Sequence, residues 1–389
     1  MSIIKLELID SIDAFQTLEP EWNKLLERSN SASVFLSWEW MYTWWDVYGK
    51  VNSDLAILLA YKDGVLLGIA PMCVTKKNLL GFFPYRTVHF IGEQKVAADH
   101  LDIIVERGRE IDICENFINY YLNKTDYDKI EMHSLRHDSS ILETIRQWPE
   151  TDNKYVSIRV GTVCPFIRLP DSWEEYLLGL SRKTRENLRR RIRLILEKLG
   201  GELVEVKDLS SVKEIFRKLV EQHQANWTSK EKLGSYGTMK FRLFHERLIE
   251  KLFPKGTILF HALKVKKEII AVYYSFLMGG RLMFYSTGYD KNWEKYSPGT
   301  ALLGIVIKRA IDLCLSEFDF LRGESNYKYR WTKQSRKDMD VDIWRSRWIK
   351  MIEEIRLWLR DRAIFLLKKI TPGMIYARMR KANQYRKLR

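Results

Sequence analysis

One strand, turn, strand signal occurs twice in this chain, and the recurrence constrains the fold more than any other feature. From Leu55 the sequence reads LAILLAYKDGVLLGIAPM, two apolar runs joined by a Lys62-Asp63-Gly64 turn. From Ile258 it reads ILFHALKVKKEIIAVYYSF, with Ala271 where the first copy has Gly68. Each copy continues alike. In the first, a strand around Leu101 to Val105 precedes the helical segment IDICENFINYYL and the strand DKIEMHSL; in the second, RLMFYSTGY precedes ALLGIVIKRAIDLCL and EFDFLRG. Apolar residues at three- and four-residue spacings mark both middle segments as helices laid on a sheet. Strands in succession, then a helix crossing to a further strand, make a mixed sheet, so the sequence predicts an α/β fold in which one unit is used twice.

A chain of 389 residues is long enough for two cores. The expected domains are 1–165, an N-terminal unit, 166–343, a C-terminal unit, and 344–389, a basic helical tail. Between the copies, the stretch from Pro170 to Gly201 has its own punctuation: Ser172 and Glu175 at capping-box spacing, and Gly200-Gly201 as a stop. Leu188, Ile192, Ile195, Leu196 and Leu199 recur there at helical spacing with arginines between, which predicts an amphipathic helix with a basic outer face.

The charge is concentrated. The chain carries a formal +15, yet Arg345 to Arg389 holds 14 basic and 3 acidic residues and Arg182 to Lys198 holds 8 and 2. These two segments exceed the whole-chain surplus, so the remainder is about neutral, which argues against a surface built all over for nucleic acid. No specific nucleic acid is expected as a partner. Trp344 to Ile370 is amphipathic and can dock on its own protein or lie on an anionic membrane surface. The run after Thr371-Pro372-Gly373 reads as a frayed basic end. MSIIKLELID lacks the features of a secretory signal, and the longest uncharged stretches are too short for a spanning helix, so a cytoplasmic protein is expected, peripheral to the membrane if the tail binds it. Cys73, Cys114, Cys164 and Cys314 are scattered in apolar contexts and read as buried, reduced thiols.

The copies differ most in the loop before the crossover helix. In the first it is short, VERGRE; in the second, YDKNWEKYSPGTALLG brings Ser297, Pro298, Gly299 and Thr300 to the start of an apolar helix. Unpaired N–H groups and the positive dipole end make such a start a phosphate site, although the same tetrapeptide also reads as a turn with Pro298 as helix initiator.

Four segments carry a resemblance: Phe35 to Gly49, Ser181 to Leu203, Tyr296 to Leu303 and Phe318 to Trp331. In this order they resemble GNAT-family acyltransferases linked to cellulose and exopolysaccharide synthesis, which are similar in architecture to Fem-type aminoacyltransferases with two tandem GNAT units. The resemblance implies an enzyme, an acetyl-CoA or other acyl-CoA donor with its pyrophosphate at Ser297, Gly299, Thr300 and Ala301, no metal, and a small-molecule or saccharide acceptor. Only Gly299 and Ala301 match the GNAT phosphate signature, because Lys295 and Tyr296 stand where Gln or Arg would precede it. It also implies a backbone N–H on the strand Leu282 to Gly288 to hold the developing oxyanion, and Arg322, Tyr327, Lys328 and Trp331 lining donor or acceptor.

For the proton acceptor the chain offers Glu324 at a strand end, His223 on a helix and, less well placed, Asp319. Trp38, Trp40, Trp44 and Trp45 suit either sugar stacking or a packed helix face after an N-cap at Ser37, and periodicity favours packing. His133 and His137 lack a third ligand, and Asp99, His100 and Asp102 form no recognisable metal arrangement. Two other readings stay open: a Fem-type transferase that takes aminoacyl-tRNA along the basic Arg182 to Lys198 segment, and a non-catalytic scaffold of a polysaccharide machine.

Overall fold

The computed structural model describes residues 4–51, 53–79, 83–93, 95–123, 127–148, 155–228 and 234–370. The basic run after Ile370 lies outside them. The chain divides into two compact units, one built from the described residues of 1–162 and 337–370 and the other from those of 163–336.

Unit 1 begins with β1 (Lys5–Ile9), α1 (Ile12–Thr17), α2 (Glu19–Arg28) and α3 (Trp38–Val47). Then come β2 (Ser53–Leu55), β3 (Ile57–Lys62), β4 (Val65–Ala70), β5 (Met72–Leu79), β6 (Phe83–Phe90), β7 (Ile104–Val105), α4 (Glu110–Asn123), β8 (Lys129–Leu135) and α5 (Ser140–Arg146). β1, β3, β4 and β7 pair antiparallel in that order, and Leu101, just before β7, bridges Leu135 of β8 in the parallel sense across crossover helix α4.

β9 (Val156–Arg168) leads into unit 2, followed by α6 (Trp173–Gly179), α7 (Arg182–Arg193), β10 (Gly201–Glu205), α8 (Leu209–Thr228) and α9 (Met239–Leu252). β11 (Ile258–Val265), β12 (Glu268–Met278), β13 (Arg281–Tyr289), α10 (Pro298–Asp312) and β14 (Glu317–Asp319) complete it. Here β10 to β13 pair antiparallel in order and β13 pairs β14 in parallel across crossover helix α10. The two units therefore share strand, helices, three strands, helix, strand. They also share a defect: pairing slips after Ala60↔Gly68 in one and after Leu263↔Ala271 in the other. A small residue is needed opposite that slip in unit 1, because a Cβ on Gly68 would run into the Ile113 side chain of α4. The repeat is not complete. In unit 1 the hairpin of β5 and β6 is inserted before β7, whereas in unit 2 β12 turns straight into β13 through Gly279 and Gly280, both at positive φ.

The basic segment before β10 is two helices, not one. Ser172 Oγ accepts the Glu175 N–H at 3.2 Å to start α6, and Ser181 Oγ accepts the Thr184 N–H at 3.2 Å to start α7, so a second cap interrupts the predicted run. α7 ends in a π turn over Leu194–Lys198 before Gly200 at positive φ. α10 lies between α7 and the sheet. A Cβ on Gly304 would lie 2.6 Å from Leu188 Cδ1, so the glycine lets the two helices approach closely. The other sheet face is an aromatic layer under α8 and α9 in which Phe260 and Tyr274 stack at 4.7 Å.

In unit 1, Ser37 Oγ accepts the Trp40 N–H at 3.3 Å, and Trp38, Trp40, Trp44 and Trp45 are buried, so these rings are core and present no face to a sugar. Cys73, Cys114 and Cys164 are buried; Cys314 is exposed, against expectation, because it sits past the end of α10 with φ 53. β15 (Ser335–Trp344) returns the chain to unit 1, where it pairs antiparallel with β8, and α11 (Arg347–Ile370) follows. No helix among the described residues is long and apolar enough to cross a membrane.

Candidate active site

Unit 2 contains a cleft of about 640 Å³ lined from α7, β12, β13, the start of α10 and the loop after β14. It owes its existence to a divergence of strands. β13 pairs β14 only over Arg281↔Glu317, Leu282↔Phe318 and Met283↔Asp319, so among the described strands none pairs that edge of β13 beyond Met283. Thr287 and Tyr289 line the cleft from the unpaired length, which the expected oxyanion strand, Leu282 to Gly288, shares from Phe284 onward.

The start of α10 forms one wall. Ser297 is in the left-handed region (φ 55, ψ 53), and no side chain caps the helix. Pro298 has no N–H to offer, while the Thr300 and Ala301 N–H groups donate to Ser297 O at 3.0 and 3.2 Å. The Gly299 N–H is left without a partner among the described residues. A Cβ there would lie 3.7 Å from Tyr289 Cδ1, in van der Waals contact with a ring that itself lines the cleft.

Facing this helix start are cations. Lys183, Thr184, Asn187, Leu188 and Arg191 lie on one face of α7, four residues apart or adjacent, and all border the cleft. Arg330 enters from the loop after β14. Lys183, Arg191 and Arg330 have no acidic partner among the described residues. Burial, with the neighbouring cations Arg190 and Arg330, pulls the Arg191 guanidinium below its usual range. Such a group gains from an anion brought next to it. Glu294 is the single carboxylate among the lining residues, and the Tyr289 hydroxyl lies 3.5 Å from it.

The loop after β14 is held by an ion at its centre. Lys328 is buried and its Nζ donates to the carbonyls of Phe320, Leu321 and Arg322 at 2.8, 2.9 and 2.7 Å. The convergence requires left-handed backbone at Leu321 (φ 55) and Gly323 (φ 106). It sets Tyr327, Arg330 and Trp331 against the cleft, and Tyr176 adds a hydroxyl bond to Trp331 O at 3.0 Å.

The residues singled out from sequence thus separate. Ser297, Gly299, Thr300, Tyr327 and Trp331 line the cleft; Ala301 is buried behind it in the helix core. Lys328 is a clasp of the loop and does not reach the cleft. Arg322 is half-buried and also outside the lining. Glu324 is exposed, accepts the Tyr329 hydroxyl at 3.2 Å and is not among the lining residues. His223 lies on α8, packed edge-on to Tyr236 at 5.0 Å; its Nε2 accepts the Trp227 indole N–H at 3.0 Å, and burial pulls its pKa down to about 4. Its lone pair is therefore occupied. Asp319 is buried and accepts the Leu321 N–H at 2.7 Å.

Sequence reasoning missed Lys183, Arg191, Glu294 and Arg330. The signal for one of them was present: Arg191 stands three residues after the buried Leu188, so it lies beside that inward face instead of on the outer one to which all the arginines were assigned.

An α/β unit with a crossover helix whose start faces a wedge between parallel strands is a GNAT-type acyltransferase fold, here in tandem. Residues 182–329 match the family model of the acetyltransferase (GNAT) domain, a span that includes almost all of the cleft residues. No curated protein sequence matches the chain. Among solved structures it is similar to FemX, with TM-score 0.63 and 10% identity over 90% of this chain and 100% of that one. It is similar also to L-PGS from Bacillus licheniformis (TM-score 0.53, 12% identity, 88% of this chain and 96% of that one) and to a protein of unknown function from Bacteroides thetaiotaomicron (TM-score 0.51, 12% identity, 87% and 100%). At these identities the likeness is one of fold.

Proposed function

We propose that unit 2 transfers an acyl group from acyl-CoA to an amine or hydroxyl acceptor, with the phosphates of the donor held between the α10 start and the α7 cations. The observation that carries this reading is the pairing of an uncapped helix start with Lys183, Arg191 and Arg330, three cations without acidic partners around one cleft. The free Gly299 N–H at the helix end and cations without acidic partners both favour a diphosphate. A pantetheine chain leaving that site along β13 meets unpaired backbone beyond Met283, where an N–H can stabilise the oxyanion of a thioester under attack. The family match over 182–329 supports acyl transfer as the reaction class.

An aminoacyl-tRNA donor is the second reading. It is favoured by α7 itself, whose exposed Arg189 and Arg190 extend the basic surface outward from the cleft. Titration calorimetry separates the two. Micromolar binding of coenzyme A that survives about 0.3 M salt supports the CoA reading, since contacts inside a cleft are screened less than surface ones. Binding of aminoacyl-tRNA with steep salt dependence, and none of coenzyme A, overturns it.

A further inference from the structure

α11 has two faces with different fates. One is docked on unit 1 through a buried ionic cluster. Glu353 is buried, accepts the Trp344 indole N–H at 2.7 Å and pairs with Lys129 at 3.0 Å; Lys129 also meets Glu131 at 2.9 Å and Asp342 at 3.3 Å. Ile349, Ile352 and Arg356 lie beside Glu353 on this partly covered side. On the opposite side Trp348, Ile355, Trp358, Leu359, Phe365 and Leu366 are 49% to 70% exposed. At 100° per residue these six fall within roughly a third of the helix circumference, so they form one apolar stripe. The docking contacts hold the helix with this stripe outward.

The charge around the stripe selects its partner. Arg362 lies inside it, with its guanidinium 4.7 Å from the Trp358 ring, and Arg347, Lys350 and Arg360 belong to the same helix. From Arg345 to Arg389 there are 14 basic and 3 acidic residues, and one of the three acids, Glu353, is buried against Lys129. A second copy apposed on the stripe would bring like charges together. An anionic bilayer takes both parts: apolar side chains and indole rings enter the interface, and arginines and lysines reach the headgroups.

We infer that α11 is an interfacial membrane-binding element, seated on unit 1 by one face and lying on an anionic lipid surface by the other. The inference does not depend on the donor chemistry of unit 2.

The test is co-sedimentation of the full chain with vesicles of phosphatidylcholine alone and of phosphatidylcholine with about 30% phosphatidylglycerol, at low salt and at about 0.5 M salt. Binding to the anionic vesicles only, weakened by salt, is expected. Trp358→Glu with Leu359→Glu should reduce that binding about tenfold or more, by placing carboxylates where lipid would be. Both positions are more than half exposed, so the thermal midpoint and coenzyme A binding of the double variant should match those of the parent. Equal binding to both vesicle types, or unchanged binding by the double variant, overturns the inference. So does a dimer in sedimentation velocity that the double variant dissolves while neither protein binds vesicles, since the stripe would then join two copies of this chain.

Discussion

Replacing Arg191 by methionine probes the donor site most sharply, because the structure assigns opposite signs to its effects on stability and on binding. In the free protein the guanidinium lies beside Arg190 and Arg330, has no carboxylate partner among the described residues, and is pulled below its usual range by burial and by those cations. Its charge is therefore a burden on the fold. Methionine keeps much of the aliphatic stem that borders the cleft and removes the repulsion, so the thermal midpoint should hold or rise slightly. Donor binding should move the other way. A hydrogen bond to a charged group contributes about 1.5–3 kcal/mol, so one lost contact to a phosphate should weaken coenzyme A binding by about 10- to 150-fold. Calorimetry of coenzyme A binding, with thermal unfolding of the same preparations, measures both. An unchanged dissociation constant refutes the phosphate site. Weakened binding with a lowered midpoint refutes the argument in a different way, since Arg191 would then be supporting the fold.

Gly299→Leu should abolish measurable coenzyme A binding in calorimetry while circular dichroism stays native, because it puts a bulky side chain beside the free N–H of the helix start, at a position that lines the cleft. Glu324→Gln and His223→Gln should each leave turnover within about threefold, as neither residue lines the cleft; a loss of about a hundredfold in either would locate the proton transfer there. Lys328→Met leaves three carbonyls without their ammonium and should lower stability to urea by about 3 kcal/mol, with weaker coenzyme A binding as Tyr327 and Arg330 lose their position. The buried histidines set an acid limit on unit 2. Burial pulls His223, His245 and His261 down to about 4, 3 and 4, so between pH 6.5 and those values the unfolded chain holds more protons than the folded one. Their contribution is complete above pH 6.5 and is lost as pH falls toward 4, by roughly 1 kcal/mol per pH unit for each, which urea midpoints across that range will show. His133 in unit 1 behaves oppositely. Its contacts with Glu93 and Asp342 outweigh burial and raise it to about 10, so it adds stability in full below pH 6.5 and loses it as pH rises through 10.

The duplicated α/β unit was legible in the order of residues because its signals are local. Alternation, turn residues and helical spacing act over fewer than twenty positions, and even the shared pairing slip is foreshadowed by Gly68 and Ala271 in the sequence. The helix start at Ser297 to Thr300 was legible for the same reason, since a loop, a proline and a glycine suffice to place a helix end there, with the Gly299 N–H left open. The basic helix was only half legible: its charge could be counted, but which of its cations border the cleft, Lys183 and Arg191, follows from Leu188 packing on Gly304, a contact between residues 116 apart in the chain. Lys328 reads as a site residue on paper. Only the curl of residues 320–323 around its ammonium makes it internal. Glu353 is one acid in a basic helix until β8 and β15 bring Lys129 and Trp344 to it, and that pairing decides which side of α11 is left outward. Charge and periodicity are properties of a segment; which face they turn to a neighbour depends on contacts that only the folded chain makes.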